Sequence, residues 1–184
     1  MDSNVTKSEV DPLTDWNGLY QEIQDESPRA AVIIAAAFLD AQLRNLISKA
    51  LIDDSKIVDE LLGTEKSLDR PLSSFSSRIR AAYCMGLISK NIYLDLELVK
   101  KIRNKFAHKM HGYNFDEPEI VDWCKSLRLA KQISDVLPRL PKTHQYLFLL
   151  GVTQLVSWIA VRTLEVEKIP RPAVDDRKKR RAAT

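Results

Sequence analysis

The spacing of the apolar residues in this chain restricts its possible folds more than any other property of the sequence. These residues recur three and four positions apart through most of the sequence, which places them on one face of an α-helix. The alternation that marks a β-strand is nearly absent, and glycine is scarce, with five in 184 residues. The sequence therefore predicts an all-α fold, a single-domain bundle of about six to seven helices.

Helix starts are marked by capping residues and by proline in the first turn. The predicted helices begin near Asp11-Pro12, Ser27-Pro28, Asp54-Ser55, Ser73-Ser74, Ser89, Glu117-Pro118 and Thr143. The second runs to about Leu51, and the one from Glu117 runs unbroken to about Leu137. Gly63 and Gly86 are expected to end the third and fourth helices, because glycine tolerates the left-handed conformation found there.

Charge divides the chain into a body and a tail. Residues 171–184 hold six basic and two acidic side chains, so residues 1–170 carry 22 basic and 23 acidic ones. A domain that held duplex DNA by its own surface would usually show a basic face, and such a nearly neutral composition does not indicate one. We expect a flexible N-terminus over residues 1–10, a helical domain over 11–169 and a disordered basic tail over 170–184.

Two observations bear on the cellular compartment. No apolar stretch follows a positive N-terminus, so no secretory signal is expected, and the apolar run 146–161 is shorter than the roughly 20 residues of a membrane span. Cys84 and Cys124 have apolar neighbours and are expected to be reduced and buried. These features predict a cytoplasmic protein without a membrane partner.

The middle of the chain contains an ordered set of sequence blocks. These are Phe38-Leu39-Asp40, residues 71–88 (PLSSFSSRIRAAYCMGLI), residues 93–96 (YLDL) and residues 101–108 (KIRNKFAH). Together they resemble the mannitol operon repressor (MltR-like) family. The resemblance implies an all-α bundle and a bacterial transcription regulator.

The last of these blocks contains a second motif, Arg103-x4-His108, with Asn104 directly after the arginine. It is similar to the signature of the HEPN superfamily, many members of which cut RNA without a metal. This resemblance implies a HEPN-like bundle and catalytic roles for Arg103, Asn104 and His108. His108 would transfer a proton, Arg103 would neutralise the phosphate, and Asn104 would orient the substrate or the imidazole.

Helix geometry restricts that catalytic hypothesis. Asn104 and His108 share a helix face, whereas Arg103 and His108 lie about 140° apart on a regular helix. A catalytic site therefore needs a distorted helix end or a second copy of the chain. In the structural alternative, Arg103 pairs with Asp95 or Asp40, and His108 stabilises the carbonyl end of the helix.

Four further residues are candidate binding residues: Asp40, Ser74, Arg78 and Tyr83. Asp40 lies in the most apolar helix and needs a partner; Arg44, one turn on, is favoured over Arg78 or Arg103. Ser74 and its neighbours Ser76 and Ser77 could cradle an anion beside Arg78 but are expected to act as helix caps. Tyr83 is expected on the core face of its helix.

Metal and cofactor sites are not expected. His108-x2-His111 lacks the glutamate or cysteine companions of a zinc site, and no glycine-rich phosphate loop is present. Trp123 and Trp158 are expected to be core residues or anchors of a dimer interface.

The favoured function is a non-enzymatic regulator that works through protein contacts. We expect a homodimer and a protein partner such as a DNA-binding regulator. The alternative is a metal-independent ribonuclease, a toxin or defence effector, with RNA as its partner. The sequence leaves the question of enzymatic activity open.

Overall fold

The computed structural model describes residues 12–63, 69–108, 112–137, 139, 141 and 143–167. In these ranges it contains eight α-helices and no β-strand. The helices are α1 (Pro12–Ile23), α2 (Pro28–Ala50), α3 (Ser55–Leu62), α4 (Phe75–Cys84), α5 (Lys90–His108), α6 (Pro118–Lys125), α7 (Arg128–Val136) and α8 (His144–Glu165). The all-α prediction is confirmed, with one helix more than expected.

The two chain ends lie outside the described residues. The predicted flexible segment 1–10 and the predicted basic tail 170–184 are both there. The domain bounds 11–169 therefore stay a prediction.

The predicted capping residues occupy the expected helix ends. The Ser27 side chain accepts a hydrogen bond from the Ala30 amide at 3.2 Å, and Thr143 accepts one from the Tyr146 amide at 3.2 Å. Gly63 follows α3 with φ of 78° and Gly86 follows α4 with φ of 69°. Both values lie in the left-handed region, where glycine has no Cβ to clash. Local sequence therefore determines most of the helix boundaries.

The centre of the bundle is formed by α2 and α8, which pack along each other. α1 packs against both, α4 and α5 pack on α2, and α6 and α7 pack on α8. The indole Nε1 of Trp16 donates to Thr153 Oγ1 at 3.1 Å, which ties α1 to α8. The core thus joins elements from both ends of the described chain.

Both central helices are also long and apolar enough to cross a membrane, judged by length and composition. Half of the most apolar stretch of α2 and 44% of that of α8 are buried inside the bundle. The core helices of soluble proteins meet the same criterion, so this is weak support for insertion.

The single helix predicted over residues 117–137 is wrong, because the chain breaks between α6 and α7. At the break, the Ser126 hydroxyl donates to the Asp122 carbonyl at 2.7 Å, and Leu127 is fully buried. A Cβ on Gly151 of α8 would lie 3.0 Å from Leu127 Cδ1, so glycine lets Leu127 pack here without a shift of its side chain. At the break Leu127 therefore packs on α8, a contact that local sequence does not reveal.

The two cysteines differ from the prediction in one respect. Cys124 is buried, and burial raises the pKa of its thiol to about 12. Cys84, at the end of α4, is exposed, so the expectation that it is buried is wrong. Both thiols are free.

Candidate functional site

The motif residues lie in the last two turns of α5. Ile102 and Phe106 face the core and are almost fully buried, which orients the rest of the helix. Arg103 is exposed, and its Nη1 donates to Asn104 Oδ1 at 3.0 Å. His108 is exposed in the last turn. Within the described residues Arg103 forms no ion pair, so neither Asp95 nor Asp40 is its direct partner.

Part of the motif lines a surface groove of about 520 Å³ between α5 and α6. We call it the α5–α6 groove. It is lined by Lys101, Asn104, Lys105, His108 and Trp123. Asn104 and His108 thus share a surface, as helix geometry predicted, while Arg103 lies outside the lining.

One wall of the α5–α6 groove is held by an ion pair between α5 and α6. Lys105 Nζ lies 2.8 Å from Glu119 Oε2, and the Tyr113 hydroxyl donates to the same carboxylate. Burial, together with this hydrogen bond and the negative charge of Glu119, raises the pKa of Tyr113. The carboxylate therefore positions Lys105, and Tyr113 remains a neutral donor.

The prediction that Arg44 is the partner of Asp40 is wrong. Asp40 pairs with Arg78, one of the two alternatives. Arg78 Nη1 lies 2.7 Å from Asp40 Oδ1, whereas Arg44 Nη2 pairs with Asp59 at 2.6 Å. Arg44 is held away from Asp40 because it also donates to the Gly63 carbonyl at the end of α3. The pKa of Asp40 is raised, because burial outweighs the attraction of Arg78 and Arg103.

Ser74 and Arg78 have structural contacts. Ser74 accepts from the Ser77 amide at 3.1 Å and its own amide donates to Ser77 Oγ, a reciprocal cap of α4. Arg78 also donates to the carbonyls of Leu72 at 2.9 Å and Leu62 at 3.0 Å. All three guanidinium nitrogens of Arg78 therefore donate to oxygens of the protein, which indicates a structural role.

Tyr83 is 36% exposed, so its expected place on the core face is wrong. Its ring lies 4.7 Å from that of Tyr93, and Lys90 Nζ lies 5.0 Å and 4.7 Å from the two ring centroids. The turn that joins α4 to α5 brings these three side chains together. They form a cation–π cluster at the surface.

Metal ligands do not cluster in the described part of the chain, where no group of three His, Cys, Asp or Glu side chains could hold an ion. His111 lies outside the described residues. The hypothesis of a metal on His108 and His111 is therefore not tested by the structure.

Sequence reasoning missed two features of this region. Lys101, Asn104, Lys105 and His108 lie at positions i, i+3, i+4 and i+7, a spacing that could have revealed their common face. The contribution of Trp123 from α6 had no sequence signal.

The fold and the sequence also permit comparison with known proteins. A family model described as "Mannitol repressor" (MtlR) matches residues 6–159. The chain belongs to the mannitol repressor family. Its fold resembles that in the X-ray structure of the MtlR-HPr complex from Escherichia coli, with a TM-score of 0.60 and 22% sequence identity. The match covers 81% of this chain and 96% of that one.

No curated protein matches this chain. The matches do not test the HEPN resemblance of Arg103-x4-His108, which stays a prediction. Membership of the mannitol repressor family confirms the first resemblance drawn from the sequence.

Proposed function

We propose that this chain is a cytoplasmic, non-enzymatic regulator that acts by binding a protein partner of the HPr kind. The observation that carries the proposal is membership of the mannitol repressor family over residues 6–159. A relative of the same fold has been crystallised with HPr, and this chain matches 96% of that relative's length.

The charge of the body supports contact with protein rather than with DNA. Residues 1–170 carry nearly equal numbers of basic and acidic side chains. Duplex DNA is usually held by a basic surface and read by an element in the major groove. A regulator of this composition would act on transcription through a second protein. Besides HPr, a DNA-binding regulator is therefore a proposed partner.

We propose in addition that the regulator is a homodimer. The C-terminal half of α8 exposes Trp158 to 44%, Val161 to 52% and Leu164 to 80%. Large apolar side chains grouped on one helix are typical of an interface. Trp158 is thus the better candidate for an interface anchor, since Trp123 is half-buried beside the α5–α6 groove.

The ribonuclease hypothesis has less support. Arg103 does not line the α5–α6 groove with Asn104 and His108, although its Nη1 donates to Asn104 Oδ1. The hypothesis would need residues of a second copy.

The proposed function can be tested by titrating the purified full-length chain with purified HPr from the same bacterium in a calorimeter. Saturable binding near equimolar stoichiometry is expected. A small protein of similar size and charge serves as the control and should give no heat beyond dilution. Absence of binding to HPr in its phosphorylated and unphosphorylated forms would contradict the proposed partner.

A further inference from the structure

The α5–α6 groove combines positive charge with an aromatic wall. Lys101 and Lys105 project from α5 one turn apart, and His108 lies one turn further on. Arg103, in the same turns of α5, adds a further exposed cation nearby. Trp123 of α6 also lines the groove. Cations beside an indole suit a ligand that has both a negative group and an organic body.

Lys101 and Lys105 differ in whether they form an ion pair. Lys105 is held by Glu119 at 2.8 Å, so its charge is partly neutralised. Lys101 is exposed and, within the described residues, has no ion pair. A surface lysine that is unpaired beside a cavity can neutralise an incoming phosphate without breaking an existing contact. Lys101 is therefore the residue placed to hold the anion.

The length of the groove indicates an organic ligand rather than an inorganic ion. Lys101 and His108 are seven residues apart on α5, which is about 10 Å along the helix axis. Between them Asn104 offers an amide Nδ2 that can donate hydrogen bonds, while its Oδ1 accepts from Arg103. A bare phosphate cannot reach both ends of such a groove, whereas a phosphate ester of a sugar, polyol or nucleoside can.

Trp123 supplies the apolar contact for such a body. One part of its side chain packs on the core, and the rest lines the groove. An indole face stacks well on a nucleobase and also packs on the C–H groups of a sugar or polyol. The volume of about 520 Å³ is in the range of pockets for small ligands.

We propose that the α5–α6 groove binds a small organic phosphate. Lys101 neutralises the phosphate, Trp123 packs on the organic part, and Asn104 and His108 form hydrogen bonds with its polar groups. The proposal does not depend on the proposed contact with HPr, because it rests only on the residues of the groove. A regulator with such a site would respond to a metabolite as well as to a protein.

A structural role for the same side chains makes a different prediction. Lys105 and His108 stand in the last turn of α5, where a cation stabilises the carbonyl end of a helix. Removal of a residue with only that role would lower stability without affecting any ligand. Lys101 lies further from the helix end, so it separates the two interpretations.

The test is calorimetric titration of the full-length chain with four probes: adenosine monophosphate, a hexitol 1-phosphate, inorganic phosphate and the unphosphorylated hexitol. One of the two organic phosphates should bind at least about tenfold more tightly than inorganic phosphate and than the unphosphorylated hexitol. The organic phosphate that binds more tightly shows whether the ligand is a nucleotide or a sugar or polyol phosphate. Equal, weak binding of all the phosphates, or no binding, would overturn the proposal.

Two variants locate the site. Lys101→Ala should weaken binding of the preferred probe by about tenfold or more, since a charged hydrogen bond is lost. Trp123→Phe keeps an aromatic ring against the core and should weaken binding by a smaller factor. Lys131→Ala, at an exposed lysine of α7, is the matched control and should bind as the unmodified chain does. All three should melt near the temperature of the unmodified chain. Binding that is unaffected by Lys101→Ala would place the ligand elsewhere and refute the proposal.

Discussion

At the scale of single residues, Arg78 shows how one side chain holds several segments of the bundle. It is 8% exposed and reaches Asp40 on α2, the Leu62 carbonyl at the end of α3 and the Leu72 carbonyl before α4. These contacts satisfy polar atoms that would otherwise be buried without a partner. The sequence indicated that Asp40 needs a partner, but it did not indicate which arginine. The pairing depends on how α4, which contains Arg78, packs on α2.

Arg78→Met should lower the free energy of unfolding by about 3 kcal/mol, because it leaves buried acceptors without a donor. Urea denaturation followed by circular dichroism measures this change. Lys105→Met removes one partner of an exposed pair and should cost about 1 kcal/mol at most. Equal losses in both variants would contradict the role of Arg78 as the donor to these buried acceptors.

The two cysteines offer a direct check of burial. A thiol reagent at pH 8 should modify Cys84 in the native chain and leave Cys124 unmodified, because Cys124 is buried with a thiol pKa raised to about 12. Denaturant should expose the second thiol to the same reagent. Rapid modification of both cysteines in the native state would contradict the position of α6.

His108→Ala separates a catalytic role of the motif from the other interpretations. If the chain is not an enzyme, the unmodified protein and the variant should both leave single-stranded RNA at background decay in the presence of a chelator. Gel electrophoresis of the RNA is the measurement. Cleavage by the unmodified protein that is lost in His108→Ala would establish the ribonuclease hypothesis instead.

At the scale of elements, α7 begins where a distant residue caps it. Asp95 of α5 is completely buried, and its carboxylate accepts from the amides of Arg128 at 3.0 Å and Leu129 at 2.9 Å. The Arg128 guanidinium pairs with the same carboxylate at 3.3 Å. The residue before α7, Leu127, provides no side-chain cap of its own. Asp95 therefore replaces the local serine or aspartate that begins most helices.

Asp95→Ala should destabilise the chain by about 3 kcal/mol, since it removes a buried anion that satisfies the first amides of α7. Hydrogen exchange should rise in α7 more than in α2. Asp135→Ala, at an exposed aspartate of α7, is the control and should change stability little. If Asp95→Ala left the exchange of α7 unchanged, Asp95 would not be its cap.

At the scale of the whole molecule, the exposed apolar face of α8 is the basis for the predicted homodimer. Light scattering of the purified chain at micromolar concentration should give twice the chain mass of 21.0 kDa. Val161→Glu together with Leu164→Glu should give a monomer, because buried unpaired charges oppose association. Val136→Glu, at a 76% exposed residue of α7, should remain a dimer. A monomer in the unmodified chain would refute the dimer, and a monomeric Val136→Glu would place the interface on α7.

The helical class and most helix ends follow from local sequence signals. The periodicity of apolar residues is a local signal, and so are the caps Ser27, Ser74 and Thr143 and the terminators Gly63 and Gly86. Each acts within about four residues of the backbone groups it serves, so a single sequence contains it. The family resemblance was likewise present in short ordered blocks.

Which distant residues meet depends on the packing of the helices. The pairing of Asp40 with Arg78, the cap that Asp95 provides for α7, and the lining of one groove by Lys101 and Trp123 each join separate helices. At the break between α6 and α7, Leu127 packs closely on Gly151 of α8. These contacts depend on how helices pack in three dimensions, and the spacing of residues along one helix contains no information about its neighbours.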